Sequence, residues 1–283
     1  MGKKVTETAY AKMNWYLAVG KRRPDGYHEI LSLMQTVSLA DTIIVSLDET
    51  PGIRLSCTGG LTIPTDRRNL AWIAAEHYFA RIGKTPSVTI QIEKSIPVAG
   101  GLAGGSTDAA AVLRALNRIF EEALSKEELL QLAAEIGSDV PFCIIGGLAL
   151  ARGRGELLMP LDIHPRYHLV LTNEGETVST AKAYADLDSR SGENELGDCA
   201  ELLSFLRTGS IPGDRMLLRN DFAATVLPQC PRAAEALLRL AELGGIAQMS
   251  GSGSTIFAVF QDEAEAKAAT VAMGGNALYA TTL

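Results

Sequence analysis

Alternating apolar and polar positions predict strands at several places along the chain. Val88, Ile90 and Ile92 alternate with polar residues, which is the pattern of a half-buried strand over 87–93. Residues 42–47 are rich in β-branched side chains and predict another strand. Strands are also predicted over 168–171 and 255–260.

Helical spacing is clearest after Ser106. The apolar residues there share one face, at Ala109, Val112, Leu113, Leu116, Ile119 and Phe120. A helix is predicted over 69–81, with Asn69 as its N-cap. Ser125 and Glu128 form a capping-box pattern that opens another helix, which Gly137 ends. A further helix is predicted over 232–243.

The mixture of elements in both halves predicts an α+β protein. The chain has 283 residues, enough for about two domains of ~150 residues. Periodicity breaks at 152–166, so we expect a boundary near Pro160, with domains at 1–160 and 161–283. The expected architecture is two α+β lobes with a cleft between them.

Composition and charge narrow the class of protein. Hydrophobic residues make up 47% and charged residues 21%, as in ordinary globular proteins. The formal net charge of -7 argues against general nucleic-acid binding. The longest uncharged run, 243–261, contains seven Gly and Ser residues, so no membrane span is expected.

The cysteines and the beginning of the sequence predict a cytoplasmic protein. No signal peptide is recognisable at the start, because no apolar run follows its basic residues. The four cysteines are far apart and form no C-x-x-C pair, which is typical of thiols in a reducing cytosol. They are Cys57, Cys143, Cys199 and Cys230.

The strongest chemical signal is a loop of small residues between a strand and a helix. Exposed N–H groups and the start of the helix favour an anion, most often phosphate. The alternative is a turn needed only for close packing. It is not a Walker A loop, and the acid that binds ribose in dinucleotide enzymes is missing. The loop comprises Pro97, Val98, Ala99, Gly100, Gly101, Leu102, Ala103, Gly104, Gly105, Ser106 and Thr107.

Two further signals lie near the start of the chain. Lys12 and Asn14 interrupt an apolar stretch and point to one side of a predicted strand. The alternative for Lys12 is an edge or solvent-facing lysine. Tyr27 and His28 follow a Pro-Asp-Gly turn and offer a ring and an imidazole. The alternative is a surface turn with an ordinary histidine.

Two more signals lie further along the chain. Asp139 stands alone between apolar runs, either as a buried base beside a phosphate site or as the N-cap of a short helix. A second loop of small residues, at 249–255, leads into a strand and could equally be a flexible turn.

Together the five signals resemble the GHMP kinases, named for galactokinase, homoserine kinase, mevalonate kinase and phosphomevalonate kinase, and the three short motifs of that family occur here in the family's order. The motifs at 97–110 and 249–255 match those of the family, and the resemblance covers essentially the whole chain. Ala99 and Ala103 stand where many members carry glycine, Thr107 where serine is usual, and Trp15 where a smaller aliphatic residue is common. The resemblance implies the two-lobed fold of this family, with an N-terminal ATP-binding lobe, a C-terminal lobe and the substrate cleft between them.

The stretches 11–17, 23–29 and 137–142 resemble the members that act on a cytidine diphosphate sugar alcohol. The implied reaction is ATP-dependent phosphorylation of the 2-hydroxyl of 4-diphosphocytidyl-2-C-methyl-D-erythritol, in the non-mevalonate isoprenoid pathway. Three alternatives stay open: another small-molecule kinase of the family, of the homoserine or mevalonate type; a non-catalytic relative; and a dinucleotide-dependent dehydrogenase.

The resemblance also implies roles for individual residues. Asp139 would accept the proton of the acceptor hydroxyl, with Lys12 beside it. The 97–107 loop would hold ATP, with Asn69 and Lys94 lining the adenine pocket; the alternative for Lys94 is a surface lysine. Tyr184 would stack on the base, or could be core packing. The other substrate-binding residues would be Asn14, Tyr27, His28, Gly251, Ser252 and Gly253.

The remaining expectations concern cofactors and partners. Mg²⁺ is expected because ATP carries it, with contacts from Asp108 and the hydroxyls of Ser106 and Thr107, and no acidic cluster indicates a dedicated metal site. The partners would be small molecules, with neither nucleic acid nor membrane. The sequence does not indicate an oligomeric state.

Overall fold

The computed structural model describes residues 3–164, 166–190, 195–211 and 217–283. The chain divides into two compact units built from interleaved segments. The first unit takes the chain up to Ala11, Leu39–Val98 and Ala103–Gly146, and the second takes Lys12–Ser38, Ala99–Leu102 and Gly147–Leu283. The division near Pro160 expected from the sequence stays a prediction.

The first unit combines strands with four helices. The strands are the start of β1 (Lys4–Arg22), the end of β2 (His28–Leu47), β3 (Gly52–Thr58) and β4 (Ser87–Glu93). The helices are α1 (Leu70–Arg81), α2 (Gly104–Ile119), α3 (Lys126–Ile136) and α4 (Val140–Ile145). β3 runs parallel to β4, and β4 runs antiparallel to the end of β2, with Thr42 opposite Glu93.

Local sequence signals account for the elements of the first unit. Val88, Ile90 and Ile92 of β4 are fully buried and belong to the core that α1 and α2 also line, which confirms the predicted alternation. The Asn69 side chain accepts a hydrogen bond from the backbone N–H of Ala71 at the start of α1, as predicted. α3 opens with the predicted capping box.

The second unit contains two groups of strands. The first half of β2 pairs antiparallel with β5 (Leu148–Arg152), which pairs antiparallel with β6 (Leu157–Leu161). The other sheet has the order β10-β7-β9-β8, all antiparallel. Its strands are β7 (His168–Thr172), β8 (Ile246–Met249), β9 (Ile256–Phe260) and β10 (Ala277–Thr281).

Helices complete the second unit. They are α5 (Thr180–Asp188), α6 (Ala200–Thr208), α7 (Ala223–Val226), which continues into a 3₁₀ turn at Leu227–Gln229, α8 (Pro231–Glu242) and α9 (Glu263–Met273). α8 buries Ala233, Ala236, Leu237 and Leu240, the positions of one helical face. The strands and the helix predicted in this half are confirmed, and the protein is of the mixed α+β class.

Candidate active site

Lys12 lies in β1, within the second unit. Its side chain is buried, with 4% of the residue exposed, so the solvent-facing alternative is wrong. Its Nζ donates to Asn14 Oδ1 at 2.8 Å and to the Gly101 carbonyl at 3.2 Å. Asn14 Nδ2 in turn donates to Ser32 Oγ at 2.8 Å. The strand therefore places Lys12 and Asn14 on one side, as predicted, and the hydrogen bonds fix the position of the ammonium group.

The two loops of small residues meet in the second unit. The Gly101 carbonyl accepts hydrogen bonds from Lys12 and from Ser250 Oγ, the latter at 3.1 Å. A Cβ on Gly101 would overlap the Ser250 carbonyl oxygen, and one on Gly251 would lie 2.7 Å from the Gly101 oxygen. Both glycines also have positive φ angles, +79° and +57°. Close packing therefore requires glycine at these two positions, in addition to any role toward phosphate.

Asn220 holds the second loop in place. Its Nδ2 donates to the carbonyls of Met249 at 2.6 Å and Gly251 at 2.9 Å, and its Oδ1 accepts from the Phe222 N–H. The Ser252 hydroxyl lies 2.9 Å from Thr180 Oγ1 at the start of α5. Sequence reasoning missed Asn220. The polar run 219–221 within an apolar stretch could have identified it as a candidate.

The start of α2 lies in the first unit and carries the end of the first loop. Its N-cap residue is Ala103, in the left-handed conformation with φ 59°, and the methyl side chain of this residue cannot cap the helix. The first N–H groups of a helix have no partner within the helix and attract anions. The Thr107 hydroxyl donates to the Tyr10 carbonyl at 2.7 Å. The geometry suits an anion held by backbone N–H groups.

Lys94 is buried between two aspartates of the first unit, so the surface alternative is wrong. Its Nζ donates to Asp41 Oδ2 and, at 2.9 Å, to Asp108 Oδ2. The other oxygen of Asp41 accepts from the N–H of Ile96 at 2.8 Å. A Cβ on Gly104 would lie 3.0 Å from the Lys94 ammonium, so this cluster supports the start of α2.

Burial dominates the electrostatics of this cluster. It raises the pKa of Asp108 to about 7, and the neighbouring Lys94 opposes that shift without cancelling it. The second oxygen of Asp108, Oδ1, is buried without a hydrogen-bond partner among the described residues. Sequence reasoning missed Asp41, because nothing near it in the chain indicates that it meets Lys94.

Asn69 is buried and uses both of its polar groups within the first unit. Oδ1 caps α1, and Nδ2 donates to the Pro64 carbonyl at 2.8 Å. Its place in an adenine pocket stays a prediction.

Asp139 immediately precedes α4 in the first unit. Its carbonyl accepts from the N–H of Cys143 at 3.1 Å, whereas its side chain makes no cap hydrogen bond to the helix. Buried Val140 and Phe142 hold the turn in place. Helix capping therefore does not account for an aspartate at this position.

His28 and Tyr184 form a stacked pair in the second unit. Their ring centroids lie 4.9 Å apart with an interplanar angle of 17°, and Tyr184 also meets Phe222 edge-on. His28 Nε2 lies 2.7 Å from Asp188 Oδ1 in α5, a partner that sequence reasoning missed. Tyr27 is half exposed beside them in the chain. The contacts of Tyr184 with protein rings also fit the packing alternative.

Two sequence profiles match the chain in succession. The profile of the GHMP kinases N terminal domain matches residues 69–147, and that of the GHMP kinases C terminal matches residues 205–280. The 4-diphosphocytidyl-2-C-methyl-D-erythritol kinase of Gloeobacter violaceus is 42% identical over 279 residues, covering 97% of this chain and 91% of that protein. The chain belongs to the GHMP kinase family.

Solved structures of GHMP kinases share the fold. A crystal structure of 4-(cytidine 5'-diphospho)-2C-methyl-D-erythritol kinase matches with a TM-score of 0.83 at 34% identity, covering 98% of this chain and 99% of that one. The L. major mevalonate kinase matches with a TM-score of 0.72 at 16% identity, covering 99% and 96%. The second match shows likeness in fold alone.

The relatives that are 42% and 34% identical over nearly the whole chain are kinases, and this settles the class of reaction. The chain is an ATP-dependent phosphotransferase that acts on a small-molecule alcohol. The dehydrogenase alternative is therefore wrong. In the part of the chain that the structure describes, no helix has both the length and the apolar composition needed to cross a bilayer.

Proposed function

We propose that this kinase phosphorylates the 2-hydroxyl of 4-diphosphocytidyl-2-C-methyl-D-erythritol, a step of the non-mevalonate isoprenoid pathway. The observation that carries the proposal is the 42% identity, over 97% of the chain, to a kinase named for that acceptor. Homoserine and mevalonate kinases match at 19% and 16% identity, which supports the fold but not their acceptors.

His28 is suited to recognising cytosine. In a neutral imidazole, donation from Nε2 to Asp188 leaves Nδ1 as a hydrogen-bond acceptor. The exocyclic amine of cytosine can donate to such an atom, whereas uracil presents an acceptor at the same place. Tyr184 stacks on His28 and Tyr27 precedes it in the chain, and we assign all three residues to the base.

Asp139 and Lys12 are the proposed catalytic residues. Phosphoryl transfer proceeds through a loose transition state, so positioning and charge stabilisation dominate. Asp139 would accept the proton of the acceptor hydroxyl. The Lys12 ammonium, fixed by Asn14 and Gly101, would offset negative charge on the moving phosphoryl group. Asn14 would also bind the acceptor, and Gly251, Ser252 and Gly253 would line its diphosphate.

We assign ATP binding to the 97–107 loop, with Asn69 and Lys94 lining the adenine pocket. The start of α2, where the N-cap residue Ala103 has no side-chain acceptor, supports phosphate binding there. Mg²⁺ bound to ATP would neutralise charge on the phosphate oxygens. Of its three expected contacts, Thr107 and Asp108 are buried and hydrogen-bonded within the protein, so Ser106, which is half-buried, fits best.

The proposed location is the cytoplasm. Cys57, Cys199 and Cys230 are free thiols, and thiols persist in a reducing compartment. We propose small molecules as the partners of this enzyme.

The acceptor is tested by measuring ADP release with Mg-ATP and three candidate alcohols. We expect turnover with 4-diphosphocytidyl-2-C-methyl-D-erythritol, and kcat/KM at least about 1,000-fold lower with homoserine or mevalonate, because a site built to hydrogen-bond a group rejects compounds that lack it. CDP should compete with the cytidyl acceptor. Comparable turnover with homoserine or mevalonate would refute the acceptor while leaving the family intact.

A further inference from the structure

The turn between β5 and β6 is attached to the loop that carries Tyr27 and His28. The N–H of Gly153 donates to Glu29 Oε1 at 2.9 Å, and the Gly153 carbonyl accepts from the N–H of Ile30 at 2.9 Å. Gly153 has φ +69°, and a Cβ there would lie 2.8 Å from the Glu156 carboxylate. Glycine therefore lets the turn approach the Glu156 carboxylate closely.

This attachment places Arg154 over the ring of Tyr27. The guanidinium carbon lies 4.8 Å from the ring centroid, within the range of a cation–π contact. Glu156 restrains the arginine from the other side. Its carboxylate accepts from the Arg154 N–H at 2.6 Å and lies 3.6 Å from the guanidinium Nε. Arg154 is thus fixed at its backbone and at its head group.

The backbone of Tyr27 is held separately from its ring. Its carbonyl accepts from the N–H of Arg23 at 2.6 Å, and its N–H donates to Asp25 Oδ1 at 3.1 Å. The residue is nevertheless 51% exposed. A side chain anchored at the backbone and open to solvent can change rotamer, and the contact with Arg154 restrains the ring.

We infer that Arg154 is a positioning residue for the acceptor, holding the Tyr27 ring as a platform on which the nucleobase stacks. The inference rests on the proposed function. A cation on one face of the ring leaves the opposite face for a planar ligand, and stacking on an aromatic ring tolerates different bases. Arg154 therefore contributes to affinity for the nucleotide part of the acceptor and not to the choice between cytosine and uracil.

The test is calorimetric measurement of Kd for CDP, used as a fragment of the proposed acceptor. We expect Arg154→Met to weaken CDP binding about two- to five-fold, the range of an exposed cation–π contact. Arg154→Lys should retain part of the effect, and UDP binding should weaken by the same factor as CDP binding. Arg152→Met, an exposed arginine on the same hairpin, is the matched control and should bind CDP like the parent.

A double-mutant cycle with Tyr27→Leu distinguishes positioning from direct contact. If Arg154 acts through the ring, Arg154→Met has no further effect in the Tyr27→Leu background. The same loss in both backgrounds would overturn the inference, because Arg154 would then bind the diphosphate directly. Unchanged CDP affinity in Arg154→Met would overturn it as well. If the parent enzyme neither binds CDP nor phosphorylates the cytidyl acceptor, the proposed function fails together with the inference. If the parent enzyme turns over normally but the double-mutant cycle shows no coupling between Arg154 and Tyr27, only the inference fails.

Discussion

At the scale of single residues, Asp139 is the proposed general base. It lies in a turn fixed by buried neighbours, and its side chain does not cap the following helix. We expect Asp139→Asn to lower kcat by about 100-fold or more, because a positioned general base contributes 10²–10⁴-fold. The KM for ATP should change little, as measured by ADP release.

Asp162→Asn is the matched control for that substitution. Asp162 is fully exposed, so the same chemical change there should leave kcat unaltered. If Asp139→Asn retained more than about a tenth of the parent kcat, Asp139 would not be the base.

The backbone at Ala103 gives a second expectation at this scale. Its φ of 59° lies in the left-handed region, which costs an L-residue about 1–2 kcal/mol. Ala103→Gly removes that strain but adds freedom to the unfolded chain, so we expect a net stabilisation of about 0.5–1 kcal/mol. The measurement is the free energy of unfolding in urea without nucleotide.

The control for Ala103 is Ala185→Gly, at an exposed position within α5. Glycine in a helix interior costs about 1 kcal/mol, so the same substitution should there have the opposite sign. Destabilisation by both substitutions would contradict the strain assigned to Ala103.

At the scale of elements, Asn220 connects β1 to the loop after β8. The Leu17 N–H donates to the Arg219 carbonyl at 2.7 Å, and the Asn220 amide then holds two carbonyls of that loop. Asn220→Asp keeps the shape but replaces the donor with an acceptor. We expect unfolding free energy to fall by about 2–3 kcal/mol, since buried carbonyls lose their partner, and kcat/KM for the acceptor to fall with it.

Asn276→Asp provides the comparison. Asn276 is exposed and donates to Glu174 Oε2 at 3.1 Å, so the new charge should lower stability by about 1 kcal/mol or less, as is typical of exposed charge pairs. Equal effects of the two substitutions in urea unfolding would show that Asn220 does not support the loop.

Elements whose signals are local could be predicted from the sequence. The alternation in β4, the Asn69 cap and the Ser125 capping box each depend on residues within one or two turns of chain, and the structure confirms them. Lys12 could be selected as a candidate because a lysine interrupts an apolar strand. Its burial could not be predicted, because that depends on the distant Gly101.

The partners of the site residues were beyond sequence reasoning for the same reason. Asp41 contacts Lys94, which is 53 residues away in the sequence, and Asp188 contacts His28, which is 160 residues away. These contacts depend on which strands and helices pack against each other, and this packing cannot be predicted from a single sequence. The glycines of the loops were predicted to face phosphate, yet two of them are also required by loop packing.

At the scale of the whole molecule, Asp108 links stability to pH. The folded chain holds its proton up to about pH 7, whereas an unperturbed aspartate has a pKa of 3.8. The folded state therefore binds more protons than the unfolded state in this window, and stability is lost as pH rises through about 7. The slope from one such group is at most about 1.4 kcal/mol per pH unit.

Asp108→Asn removes this titration while keeping the side-chain shape. We expect the decline of unfolding free energy between pH 5 and pH 7.5 to become shallower in the variant, measured by urea unfolding at fixed ionic strength. Asp162→Asn should keep the parent slope. Parallel pH profiles for the parent and Asp108→Asn would show that Asp108 titrates normally.

The 2-hydroxyl of the acceptor is the atom proposed to receive the phosphoryl group. The 2-hydroxyl of a 2-C-methyl sugar alcohol is tertiary, because its carbon carries the methyl group and no hydrogen. Proton-coupled ³¹P spectra of the reaction with Mg-ATP and 4-diphosphocytidyl-2-C-methyl-D-erythritol therefore show which hydroxyl is phosphorylated. We expect one new phosphomonoester signal without splitting by a proton on the bonded carbon, formed in step with ADP. A split signal would place the phosphate on another hydroxyl, and inorganic phosphate alone would mean hydrolysis of ATP; either result would contradict the proposed reaction.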